Sequence, residues 1–365
     1  MPLLSEIAAC FEALAPLALQ EPYDNSGLQI GNPSLQVESA LVAIDLNEQV
    51  VDEAVALGAN LIVSHHPLIF KGLKRLTQAT MVERIVHRCI LHNIALYACH
   101  TNLDAASGGV SYRLAQKLGI VNGAILEPRS GLLTKLVVYI PSEAYVKVRE
   151  ALFDAGAGSM GDYERCGFVA PGTGCYRPGT ESQPFAGQPG LFHEEPEVRF
   201  ETLFPTALTD MVIKALLASH PYEEPAFDLF QMQNKTRDTG FGWVGLLPEA
   251  CTPEEFLLQV KKILGTGAIR YSTPPAHTIH KVAVCGGSGA ELLTAARAAG
   301  ADAYITADVK YHTFQEAEGR LLLIDAGHYE TEQFTKELFY DVLTKKFNNF
   351  AVHISKVKTN PINYL

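Results

Sequence analysis

The sequence predicts an α/β protein that carries an inserted α+β module, and three observations lead to that reading. Helical stretches alternate with short apolar runs early in the chain, the texture then turns rich in glycine and proline, and the α/β rhythm resumes afterwards. A chain of 365 residues, 47% hydrophobic and 19% charged, also exceeds the roughly 250 to 300 residues that one core sustains, so two or three domains are expected.

The first stretch, MPLLSEIAACFEALAP, has the apolar spacing of an amphipathic helix, carries Glu6 and Glu12, and has no basic leader. It is read as the first helix of a cytoplasmic protein. Up to about residue 127 the runs ALVAIDL, ANLIVSHHP and IALYACHTNLD alternate with VVDEAVALG and TMVERIVHRCILHN, which is the strand and helix rhythm of an α/β sheet. The continuous apolar runs LIVS and IALYA suit strands covered on both faces. Histidines follow each run closely, at the strand ends where such sheets gather ligands.

From 128 to 246 KLVVYIP predicts a strand and SEAYVKVREALFDAG a helix with Ser142 as N-cap. The stretch CGFVAPGTGCYRPGTESQPFAGQPG then separates this unit from a second, in which EVRFETLFP and AFDLFQMQ flank the helix TALTDMVIKALLASH. Two strand-helix-strand units of this kind fit a split βαβ, ferredoxin-like module. It is inserted, because HKVAVCGGSG, ELLTAARAAG, ADAYITAD and LLLIDAGHYETE restore the α/β rhythm from 247 to 365, ahead of a last helix in FTKELFYDVLTKKF.

Composition narrows the partners. A net charge of -11 and a pI near 5.6, with no basic run, argue against nucleic acid. No apolar run approaches the roughly 18 residues of a membrane span. Seven scattered cysteines with no C-x-x-C pair provide neither a disulfide frame nor a thiolate zinc knuckle, so a bound metal must use nitrogen and oxygen ligands.

Three strand-end segments offer such ligands. Neighbouring strand residues face opposite ways, so His65 and His66 can serve one site only where the strand has stopped, and Pro67 stops it. Taken alone, a His-His pair more often marks an ordinary loop. His100-Thr101-Asn102-Leu103-Asp104 brings an imidazole and a carboxylate to the same kind of edge, where Asn102 or Asp104 could equally cap a helix. In Gly327-His328-Tyr329-Glu330-Thr331-Glu332 a helix places His328 and Glu332 on one face, four residues apart. The coincidence of the three favours a metal centre over three unrelated loops. Three imidazoles and two carboxylates exceed the needs of one tetrahedral ion, whereas two ions with Asp104 and Glu332 as bridges use them all.

The motifs SHHP, HTNLD and GHYETE, with YDNSGLQIG before them and TADVKYH near the end, resemble the Nif-three-like dinuclear metal-centre family, whose members are often labelled homologues of a type 2 GTP cyclohydrolase I. The similarity covers roughly 1 to 127 and 247 to 365 and keeps the order of the motifs. The resemblance implies that His65, His66, Asp104, His328 and Glu332 ligate two divalent ions in a cleft between two similar α/β lobes. It further implies a PII-like inserted domain and a toroidal homohexamer with its metal sites facing an internal cavity. Mixed imidazole and carboxylate ligands suit zinc first, then iron or manganese.

Around these ligands, His100 is placed to orient a ligand or water, and Asp308 and His312 to serve as general acid or base, although Asp308 also suits a helix start. Cys285-Gly286-Gly287-Ser288-Gly289 is either a phosphate-holding turn or a plain strand-to-helix connection. Asp24, Asn25, Ser26 and Gly27 read as a cleft-edge loop, and His220-Pro221-Tyr222-Glu223-Glu224-Pro225 as a loop of the inserted module. The expected function is metal-dependent hydrolysis of a small molecule such as a nucleotide. The alternative is a non-catalytic hexamer for metal storage, metal delivery or small-molecule sensing.

Overall fold

The computed structural model describes residues 1–365. The chain is mixed α/β with three sheets. It divides into two compact units, one formed by Met1–Pro128 with Arg237–Leu365 and the other by Arg129–Thr236. No helix is long and apolar enough to cross a membrane.

In the first unit a five-stranded sheet runs in the order Gly27–Ile30, Ala95–Ala98, Leu61–Ser64, Ser39–Ala43, Ala351–Ile354, parallel except for the first strand. Alternate residues enter two cores. Val42, Val63 and Tyr97 pack with the helices Leu4–Leu14 and Thr335–Lys346, while Leu41, Ile62 and Leu96 pack with Glu48–Leu57 and Met81–Leu91. These helices start where the sequence supplies caps: the Asn47 side chain accepts from Val50 N and that of Thr80 from Glu83 N.

The second sheet of this unit has the order Arg270–Tyr271, Leu322–Asp325, Ala303–Ala307, Ile279–Ser288, Gly240–Cys251, Val121–Pro128, with a parallel centre. The compact units part at 128/129 and 236/237, beside expected boundaries of 127/128 and 246/247. Gly240–Cys251 pairs with both Ile279–Ser288 and Val121–Pro128, so the first unit resumes at Arg237. The lobes also exchange edges, because Ala351–Ile354 joins the first sheet and Val121–Pro128 the second. Such pairings over long sequence separations leave no local periodic mark.

The unit Arg129–Thr236 is an antiparallel sheet in the order Gly167–Tyr176, His193–Pro205, Leu133–Pro141, Phe227–Met232. Taken in chain order these are strands 2-3-1-4, a split βαβ arrangement. Helices Tyr145–Asp154 and Thr209–Ser219 bury Val148, Leu152, Val212 and Leu216 against Val138, Phe200 and Phe204. Two local readings are corrected. Ser142 is not the cap, since its own N–H donates to Pro196 O and the helix begins after Ala144. The first part of the Gly/Pro-rich stretch is a strand, which tolerates Pro171 because it lies at the sheet edge.

Candidate metal centre

The parallel strand Leu61–Ser64 ends by delivering His65 and His66, which share an edge with His100 and Asp104 after Ala95–Ala98. The helix His328–Glu332 adds its two end residues. The rings crowd together: His66 lies 4.9 Å from His65 and 5.4 Å from both His100 and His328, centroid to centroid.

The nitrogens facing away from this cluster are committed. His65, fully buried, donates Nδ1–H to Cys99 O at 2.7 Å, which leaves Nε2 as the acceptor. His66 Nδ1 lies 2.6 Å from Asp45 Oδ1, His328 Nδ1 lies 2.7 Å from Asp308 Oδ2, and His100 Nδ1 lies 2.8 Å from Asp24 Oδ1. Carbonyl or carboxylate partners on the outer nitrogen are the arrangement that orients metal-ligating imidazoles.

Facing inward, the donor atoms meet one another. His65 Nε2 is 3.7 Å from Asp104 Oδ1 and 3.6 Å from Glu332 Oε1, while Nε2 of His66 and of His328 lie 3.1 and 3.3 Å from Glu332 Oε2. Yet His65 Nε2, Asp104 Oδ1 and Glu332 Oε2 are buried with no partner of hydrogen-bond geometry. Orphaned buried polar atoms are rare and costly, and lone-pair donors converging on one space fit a cation. One ligand atom from each of His65, His66 and Glu332 lies within 4.8 Å of the others. The buried cluster could therefore hold a metal ion.

Electrostatics of the protein alone agree. Burial pushes the His66 imidazole down, but Asp45 and Glu332 outweigh it and carry it up to about 10. His328 is carried up to about 9 against its own burial by Glu332 and Asp308. Burial would raise Glu332, yet the surrounding imidazoles, His65 foremost, hold it well below the usual carboxylate range. Burial raises the Asp104 carboxyl against the pull of His65. A cation would replace the protons that the cluster otherwise retains.

Of the two groups read as general acid or base, Asp308 reaches the cluster and His312 does not. Asp308 is bound to His328 and so serves as its orienting carboxylate; it does not cap the helix Tyr311–Glu316, whose N-cap is Lys310. Its backbone is left-handed at φ 55°, a conformation aspartate tolerates better than most residues. His312 is exposed and meets Gln315 and the Tyr311 ring, not the cluster. His100 does stand against it, 5.4 Å from His65.

Sequence reasoning overlooked Asp45 and undervalued Asp24. Asp45 follows the strand Ser39–Ala43 at the same edge as the histidines, and that position was the available signal. Asp24 is no mere turn residue, because it also accepts from Thr101 N and from the hydroxyls of Ser26 and Thr101. Burial opposes its ionisation, but bonds from His100 and Thr101 hold it well below the ordinary carboxylate range. The glycine motif has a third role beyond the two foreseen. Its Gly286 and Gly287 amides already donate to Ser111 and Thr331, and a Cβ on Gly287 would lie 2.1 Å from Glu332 Oε1. Glycine there lets the strand end approach the cluster.

Fold and cluster together define a mixed α/β protein with a buried histidine-glutamate site able to hold a metal ion. The chain belongs to the Duf34/NIF3 (NGG1p interacting factor 3) family, whose pattern matches residues 2–361. It is 38% identical to the GTP cyclohydrolase 1 type 2 homolog of Bacillus subtilis, covering 99% of this chain and 98% of that one. The GTP cyclohydrolase 1 type 2 homolog of Halalkalibacterium halodurans is also 38% identical, over 97% of each chain. Among solved structures, a Bacillus cereus protein related to NIF3 superposes with a TM-score of 0.78 at 38% identity, covering 100% of this chain and 99% of that one. A Staphylococcus aureus protein reaches a TM-score of 0.80 at 29% identity, with the same coverage.

Proposed function

We propose that this chain is a metal-dependent hydrolase acting on a small nucleotide-like molecule, with two divalent ions held by His65, His66, Asp104, His328 and Glu332. The observation that carries the proposal is the set of buried, unpartnered atoms His65 Nε2, Asp104 Oδ1 and Glu332 Oε2. Asp104 and Glu332, each with an oxygen within 3.7 Å of His65 Nε2, would supply the negative charge that holds the ions among the imidazoles. Zinc fits the ligand set first, and iron or manganese next. Ions in this site would supply positive charge that activates water and polarises a substrate oxygen or ring carbon.

The remaining work falls to side chains. With Nδ1 fixed on ionised Asp24, His100 holds Nε2 as the atom that takes and returns a proton, the carboxylate stabilising the imidazolium formed. Tyr23 and Phe70 are exposed beside it, with the Phe70 ring 6.3 Å from both Tyr23 and His100. That aromatic edge suits a planar base, which supports a nucleotide. The names of the Bacillus subtilis and Halalkalibacterium halodurans relatives point the same way. The split βαβ unit is read as PII-like and the assembly as a cytoplasmic homohexamer, both on family resemblance; light scattering tests the latter.

Metal content per chain and GTP turnover, followed by formate release in zinc-, iron- and manganese-loaded protein, test the proposal. Two ions with turnover, both lost in Asp104→Ala, are expected. Two ions without turnover of any purine nucleotide would favour metal storage or delivery instead.

A further inference from the structure

Two segments that the metal cluster does not use, the Gly/Pro-rich stretch after Cys166 and the segment His220 to Pro225, converge within the unit Arg129–Thr236. Between them lies a cavity of 970 Å³. Glu197 lines it. Its neighbours Val198 and Phe200 turn towards the helices, so alternation along the strand sends Glu197 to the opposite face.

Glu197 is only 8% exposed, and no lysine or arginine pairs with it. Its Oε1 accepts from the Tyr222 hydroxyl at 2.8 Å, and its other oxygen remains available. The position is built. Gly174 lies beneath the carboxylate, where a Cβ would come within 2.3 Å of it. Tyr222 is fixed in turn by His220, whose Nδ1 accepts from Tyr222 N and whose Nε2–H donates to Tyr139 O. Tyr176 and Phe185 stand 5.7 and 6.1 Å from the Tyr222 ring and extend an aromatic wall along the cavity.

We propose that this cavity binds a small planar nitrogenous cation of the amidinium or guanidinium type. A buried acid without a basic partner gains most from a cation, paired N–H donors match a carboxylate edge, and flat delocalised cations rest well on aromatic rings. Arg177 and Arg199 also line the cavity, but both are exposed and Arg199 already pairs with Glu201 at 2.9 Å. Neither guanidinium is paired with Glu197.

Benzamidine is the probe, titrated calorimetrically into the full-length protein, with benzoate as the anionic control of the same shape. Benzamidine is expected to bind and benzoate not to. Glu197→Gln should weaken binding about tenfold or more, and Tyr222→Phe and Gly174→Ala should weaken it less. Metal content per chain should be the same in all three, so the result stands apart from that of the hydrolase proposal. Benzoate binding as tightly as benzamidine, or a folded Glu197→Gln protein with wild-type affinity, would overturn the inference. If Glu197→Gln does not fold, wild-type affinity in both other variants overturns it equally.

Discussion

His66 and Asp45 meet at 2.6 Å between Nδ1 and Oδ1, and this contact determines which ring nitrogen His66 turns towards Glu332. Asp45 itself is held from behind by the Thr359 hydroxyl at 2.7 Å. A segment near the C-terminus thereby braces a strand end near the N-terminus.

Asp45→Asn keeps the size of the side chain but removes the charge that orients His66. Metal affinity should fall about 10- to 100-fold, as for other carboxylates behind ligating histidines. Competition against a chelator of known affinity measures it. Unchanged affinity would show that His66 is held by packing alone.

Gly287→Ala should be more damaging than the addition of one methyl group suggests, because the position is buried. The residue sits at φ 63°, where a side chain costs about 1 to 2 kcal/mol, and the new Cβ would press on Glu332 Oε1. Lower thermal stability together with lower metal content is expected; a protein that loses stability alone would show that Glu332 moves aside without leaving the site.

The metal-free and metal-loaded forms should respond to pH in opposite directions. His66 and His328 are raised from 6.5 to about 10 and about 9, so the stability they give the metal-free fold is fully present below pH 6.5. It is lost as pH rises through 9 to 10. Metal binding must displace those protons, so affinity should rise over the same window. Urea unfolding of chelator-treated protein at pH 6.5 and 9.5, beside zinc titrations at the same values, checks both signs.

The residues that meet in the candidate cluster were legible because each stands within a few residues of an apolar run, where local pattern marks the carboxyl end of a strand. Their supports were not. Asp45 precedes His66 by 21 residues and Asp24 precedes His100 by 76, distances that only the sheet closes. Likewise the strands Val121–Pro128 and Gly240–Cys251 pair across the whole inserted unit, and glycines at 240, 242 and 245 hid the second of them. His312 was read as a general acid or base because TADVKYH carries it just past an apolar strand, whereas its short helix turns it to solvent.

The last prediction concerns His220, which the fold holds neutral. Its Nε2–H donates to Tyr139 O, and its Nδ1 must keep a lone pair to accept from Tyr222 N at 3.1 Å. Burial lowers its pKa, only partly offset by the Tyr139 bond. A depressed histidine gives stability that is present above its unfolded value of about 6.5 and lost as pH falls towards the folded one. Protonated Nδ1 can no longer accept, so the Tyr222 amide should lose protection first. Hydrogen exchange of a peptide spanning 220–226, corrected for the intrinsic rate, should therefore quicken between pH 7.5 and 5.5. In His220→Gln that dependence should vanish, because a glutamine amide does not titrate there; if it persists, protonation elsewhere opens the loop.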